Sequence, residues 1–187
     1  MKVKDQSAPG ALDVIRLFVN TEDVANPDSD VLATAPGARA WLAEHGLLGA
    51  GDDLDVEELA IVRGLRDALR LELLAHTGDA DPAESWGQLG EYADRADLGL
   101  RCGEGSGTIE LVAEGQHAQR VIGRCFALIY DAIREGRWQR LKACRKSTCL
   151  WAFYDHSKNG SGHWCSMAVC GNRAKAQRRR TREAQAR

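Results

Sequence analysis

Four of the six cysteines in this 187-residue chain fall within 27 residues, as Cys144-x4-Cys149-x15-Cys165-x4-Cys170. Two close thiol pairs joined by a loop suit a tetrahedral divalent ion, because each pair closes a short chelate at small entropic cost. One structural Zn2+ is the expected cofactor, since the cysteine spacings typical of ferredoxin clusters are absent. Four thiolates fill the coordination shell and leave no open position for water or substrate, which argues against a zinc hydrolase and for a protein that is not an enzyme. Disulfides or free thiols are the alternative, disfavoured in a reducing compartment. His156 and His163 lie between the pairs and offer substitute ligands. Cys102 and Cys125 fall on a strand-like run and an apolar helical face, and read as ordinary hairpin and core residues.

The stretch between the pairs reads as the frame of a small metal module. Leu150 to Tyr154 is strand-like, Ser157 to Gly162 is turn-rich, and His163-Trp164 leads into Cys165. The expected order is a knuckle, a β-hairpin, a second knuckle and a helix, a treble-clef-like arrangement. Trp151, Phe153 and Trp164 are expected beside the metal, with base stacking as the other use of such rings. Gly171 permits a tight turn, Asn172 is the expected N-cap, and a helix is expected from Arg173 to Arg187. That helix carries seven basic residues, one acid and no apolar stripe.

Charge divides the chain unevenly. Residues 137–187 hold 13 of the 25 Lys and Arg but only two of the 27 acids, a net of +11, which leaves −13 on the other 136 residues. A basic quarter on an acidic body points to a polyanionic partner, and DNA is the expected one. Arg173, Lys175, Arg178, Arg179, Arg180 and Arg182 are the leading candidate contacts. Lys142, Arg145, Lys146 and Lys158 are candidates for holding the flanking backbone.

These residues resemble a known module. Cys144-x4-Cys149, Asp155-x-Ser157-Lys158-Asn159, Trp164-Cys165-Ser166-Met167-Ala168 and Cys170-Gly171-Asn172-Arg173-Ala174-Lys175 are similar to the CGNR zinc finger. That finger usually closes a bacterial chain that begins with an ABATE domain. Phe18-Val19-Asn20-Thr21 resembles the opening of that domain, and Trp41-Leu42 with Gly46-Leu47 resembles its next segment. The resemblance implies a stress-induced transcription regulator.

The first 136 residues read as one mostly helical domain and residues 137–187 as the finger. Helices are expected at Ala11–Val19, Ala38–His45 (after a Pro36-Gly37 breaker), Asp55–His76, up to Arg95 and Gln116–Glu135. Leu59, Val62, Leu65, Leu69 and Leu73 make the apolar face of the third; Ile122, Cys125, Phe126, Ile129 and Ile133 make that of the last. Asp97–Cys102 and Thr108–Ala113 flank a glycine-rich link and predict a β-hairpin rather than a phosphate loop. The fold class is therefore α+β, a helical domain with a small β element plus the finger. The acids at 52, 53, 55, 57 and 58 suit a helix N-terminus. Asn20 and Thr21 follow an apolar run and are candidates for a ligand cleft or a helix cap. This reading leaves room for a small-molecule effector and a homodimer.

Met1–Asn20 has charges inside its only apolar stretch, and no uncharged apolar run reaches the roughly 18 residues of a membrane span. A cytoplasmic protein without a membrane partner is expected. The rival functions are an RNA-binding module and a redox-sensitive protein-interaction adaptor, in which thiolate oxidation ejects the metal.

Overall fold

A computed structural model describes residues 6–103, 105 and 107–185, with side chains at 177–179 and 183–185 outside the described set. Its helices are α1 (Leu12–Val19), α2 (Ala35–Glu44), α3 (Val56–Ala75), α4 (Pro82–Ala93), α5 (His117–Arg134) and α6 (Asn172–Gln185). Two antiparallel hairpins complete it, β1 (Leu98–Cys102) with β2 (Ile109–Ala113), and β3 (Leu141–Ala143) with β4 (Ala152–Tyr154). Among the described residues no helix is long and apolar enough to cross a membrane.

Helix α3 is the central post, packed by α1, α2, α4, α5 and β3. Its start is a reciprocal cap: Glu58 N–H donates to the Asp55 carboxylate at 2.8 Å, and Asp55 N–H donates to that of Glu58 at 3.1 Å. The expected leucine face is buried, and Arg66 and Arg70 are buried beside it. They clamp the segment after α1. Arg66 Nη1 donates to Asp30 at 2.7 Å, while Arg70 donates to Glu22 at 2.8 Å and to the Val19 carbonyl at 2.9 Å.

Three local expectations need correction. Pro36-Gly37 does not break a helix; it lies in the first turn of α2, which Thr34 caps through Gly37 N–H. Proline is tolerated there because its missing N–H would have no intrahelical partner anyway. Ile133 is exposed, and the buried face of α5 runs instead through Ala118, Val121, Ile122, Cys125, Ile129 and Ala132. Small residues bring α5 close to its neighbours. A Cβ at Gly123 would stand 2.9 Å from that of Ala113, so glycine lets the first hairpin lie directly on the helix. The second hairpin does not follow the first cysteine pair but encloses it.

One core runs through both parts of the chain. Leu141, Ala143, Ala152 and Tyr154 of the second hairpin belong to the same buried cluster as Phe18, Leu69 and Leu73.

Candidate metal centre and basic helix

Strands β3 and β4 pair with Leu141 opposite Tyr154 and Ala143 opposite Ala152, and Cys144 N–H extends the ladder to the Trp151 carbonyl at 3.0 Å. Cys144 therefore leaves the hairpin at a defined point. Its loop turns back through Cys149 N–H and Leu150 N–H, which both donate to the Lys146 carbonyl at 2.8 and 3.1 Å. Leu150 accepts a positive φ of 51° to make this turn, a conformation unfavourable for a bulky side chain. Arg145 N–H donates to the His163 carbonyl at 3.0 Å and joins the first cysteine loop to the second.

Cys165 precedes and Cys170 lies within a π-helical turn, Met167–Gly171, that runs into α6. Ser166 is its cap, accepting from Val169 N–H at 3.3 Å, and its carbonyl takes both Cys170 N–H and Gly171 N–H. The N-cap expected at Asn172 is thus moved upstream, because the wide turn continues directly into the helix. Asn172 instead donates from Nδ2 to the Ala168 carbonyl. A Cβ at Gly171 would come within 2.7 Å of Met167 Sδ and 3.4 Å of Trp164, so the Met167 side chain packs directly over the glycine.

These two turns bring Cys144, Cys149, Cys165 and Cys170 together, with all four Sγ atoms within 4.8 Å of one another. Cys149 and Cys165 are 3.7 Å apart, Cys165 and Cys170 3.8 Å. A tetrahedron with metal–sulfur bonds of about 2.3 Å has edges of about 3.8 Å, so the sulfurs fit a tetrahedral thiolate site. Four thiols this close cannot all ionise without a cation among them. Hydrogen bonds from the Cys149 and Cys165 thiols, with the amides of Cys165 and Lys146, hold Cys144 down to about 4, whereas Cys144 and Cys149 push Cys165 upward.

Neither histidine joins this cluster. His156 Nε2 lies 2.9 Å from the Ser7 carbonyl, and its ring meets Tyr154 edge-on. Outside the cluster, Cys125 is fully buried and its thiol is pushed up to about 12 by burial. Cys102 is exposed at the end of β1.

The loop between the pairs is organised by a buried ion pair that sequence reasoning missed. Lys142 Nζ lies 3.1 Å from Asp155 Oδ2 and also donates to the carbonyls of Gly160 and Gly162. Asp155 accepts from the amides of Ser157 at 3.0 Å and Gly162 at 2.6 Å. Burial opposes its ionisation, but the Ser157 side chain and amide, the Gly162 amide and Lys142 outweigh that and hold its pKa well below the usual carboxylate range. Lys142 is therefore no backbone contact for a polyanion; it is only 3% exposed. The legible signal was Asp155-x-Ser157, a turn-forming pattern.

The other basic candidates divide. Arg173, Lys175, Arg180 and Arg182 project from α6 as exposed residues, and Lys158 is exposed on the loop. Lys146 is half-buried. Arg145 is turned away onto Asp79, at 2.7 Å from both carboxylate oxygens. The side chains of Arg178 and Arg179 lie outside the described residues.

Asn20 and Thr21 do not line a cleft, because both side chains are consumed internally. Asn20 accepts from Ala152 N–H at 2.7 Å and donates to the Ala152 carbonyl at 2.9 Å, pairing with β4 like one more strand residue. Thr21 is buried and donates to the Phe18 carbonyl at 2.7 Å. The finger is held at further points. Gln6 donates to the Cys165 carbonyl and accepts from Tyr154 N–H. His76, 2.9 Å from the Glu72 carboxylate, stands with Nδ1 2.7 Å from the Leu141 carbonyl.

Residues 13–134 match the ABATE family model, described as a putative stress-induced transcription regulator, and residues 140–183 match the CGNR zinc finger. No curated protein matches the chain.

Proposed function

This chain belongs to the ABATE family and ends in a CGNR zinc finger, and from that premise we propose that it is a DNA-binding transcriptional regulator with one structural Zn2+. Cys144, Cys149, Cys165 and Cys170 hold the ion. It supplies no open coordination site; its task is to tie two loops together and fix the start of α6. The observation that carries the reading is the character of α6. It begins two residues after a metal ligand, has no apolar face to bury, and exposes Arg173, Lys175, Arg180 and Arg182. A helix of about 14 residues with such a sequence is marginal alone, and phosphates along its length would stabilise it.

Four thiolates and one Zn2+ take the formal charge of residues 137–187 from +11 to +9. That charge favours a polyanion, while the −13 of the remaining residues keeps the body off it. The helical domain is the sensory part, responding to a small-molecule effector or to a second copy of the chain.

The test is a salt titration of the zinc-loaded full chain on duplex DNA, with structured RNA in parallel. Replacing Lys175, Arg180 and Arg182 by Ala should make the slope of log K against log salt shallower by roughly two to three, at about 0.9 per phosphate. An unchanged affinity and slope would remove α6 from the mechanism, and tighter RNA binding would replace DNA as the partner.

A further inference from the structure

Beside the start of α1, at Ala11 and Val14, the helical body holds a cavity of about 540 Å3. Its size is that of a small-molecule site. Val14 of α1, Leu47 beyond α2, Leu111 of β2 and Leu128 of α5 give it apolar walls. Arg101 of β1 with Arg120 and Arg124 of α5 give it a cationic one. Asp131 also faces it, and so does His45, whose ring stacks on Trp41 at 3.9 Å.

The arginines are unevenly committed. Arg120 Nε lies 2.7 Å from Asp52 Oδ2, an ion pair that lacks hydrogen-bond alignment. Arg124 sits one turn later, its Nη1 donating to the Gly46 carbonyl at 2.5 Å. The Nε atoms of both are buried and make no hydrogen bond. Arg101 has no ion-pair partner among the described residues, though Glu110 stands opposite it in the hairpin register. Arg120 Nε has the Asp52 carboxylate against it, whereas the buried Nε of Arg124 has no acceptor, and a buried donor normally finds one.

We propose that this cavity binds a small organic monoacid, its carboxylate received by Arg124 and Arg101 beside Arg120 and its apolar body laid against Val14, Leu47, Leu111 and Leu128. A guanidinium fork matches a planar carboxylate. Asp52, Asp131 and, across the hairpin, Glu110 already stand near the three arginines, so the site suits at most a single negative charge rather than a phosphate or a polyanion. Helix α1 touches both sites: Val14 lines the cavity, and Asn20 at the helix end holds β4 of the finger. The regulatory meaning of the cavity rests on the reading given under Proposed function; binding itself does not.

Calorimetric titration of the zinc-loaded full chain with octanoate, indole-3-acetate, 1-octanol and inorganic phosphate tests this. At least one of the two acids should bind saturably, one per chain; octanoate should bind about tenfold or more tighter than octanol, and phosphate should give no saturation. Arg124→Gln should weaken acid binding about tenfold, and Ala127→Phe, which fills the cavity, should remove it without changing the zinc content. Equal binding of octanoate and octanol, saturation by phosphate, acid binding retained in Ala127→Phe, or no saturable binding of either acid would overturn the proposal. The wild-type comparison of acid with alcohol decides even where a variant fails to fold. No readout involves DNA, so failure here and failure of the DNA-binding reading are separable.

Discussion

The helical body and the finger solve the same problem with different materials. The body buries long aliphatic side chains: Leu59, Val62, Leu65, Leu69 and Leu73 line one helix and meet Ile15, Phe18 and Ile129 from others. The finger has two three-residue strands, a salt bridge and four sulfurs. Its apolar residues face into the body's core, so little is left to hold its own loops. The difference teaches where each part is vulnerable. Removing one buried group from the body leaves a cavity in a large cooperative core, whereas removing one ligand from the finger leaves its second half without an organising centre.

The largest break in that comparison is loss of the metal. Structural zinc sites contribute on the order of 10 kcal/mol or more in small fingers. Cys170→Ser should lower zinc from one per chain to a small fraction, measured by metal analysis, while far-ultraviolet circular dichroism keeps the signal of α1–α5. Loss of the whole helical signal would mean that body and finger fold as one unit.

A smaller break is Asp155→Asn. It leaves Lys142 buried without its counter-charge, which costs about 3–5 kcal/mol in comparable sites. Chelator-driven zinc release should accelerate by at least tenfold, with the thermal midpoint of the body shifted far less. An unchanged release rate would show that the sulfurs alone organise the finger.

The smallest is Asn20→Ala, which sharpens the comparison at the seam. Two hydrogen bonds to Ala152 disappear, worth about 1–3 kcal/mol together. Hydrogen exchange of β4 amides should speed up while those of α3 stay protected. Equal acceleration in both would place Asn20 in the body's global stability.

How much of this was legible follows from how local each feature is. The cysteine cluster could be read because coordination chemistry demands thiol pairs at short spacing. The leucine face of α3 could be read because a helix repeats its neighbours every three or four residues. The misreadings have the same origin. Pro36 looked like a breaker because its position relative to the cap depends on where Thr34 points. Ile133 looked internal because helical periodicity does not say where the neighbouring elements end.

By itself, then, the sequence determined the cysteine pairs, the basic helix, the split of charge and the order of helices, all set by residues within a few positions of one another. Only the tertiary structure decided which polar groups were already engaged. Asn20 and Ala152 are 132 residues apart, Arg145 and Asp79 66, and no local pattern announces either pair. It also decided the cavity, whose arginines come from β1 and α5 and whose apolar wall comes from α1, α5, β2 and the turn after α2. Burial and partnership are properties of the assembled neighbours, because a side chain's solvation depends on what the rest of the chain places around it.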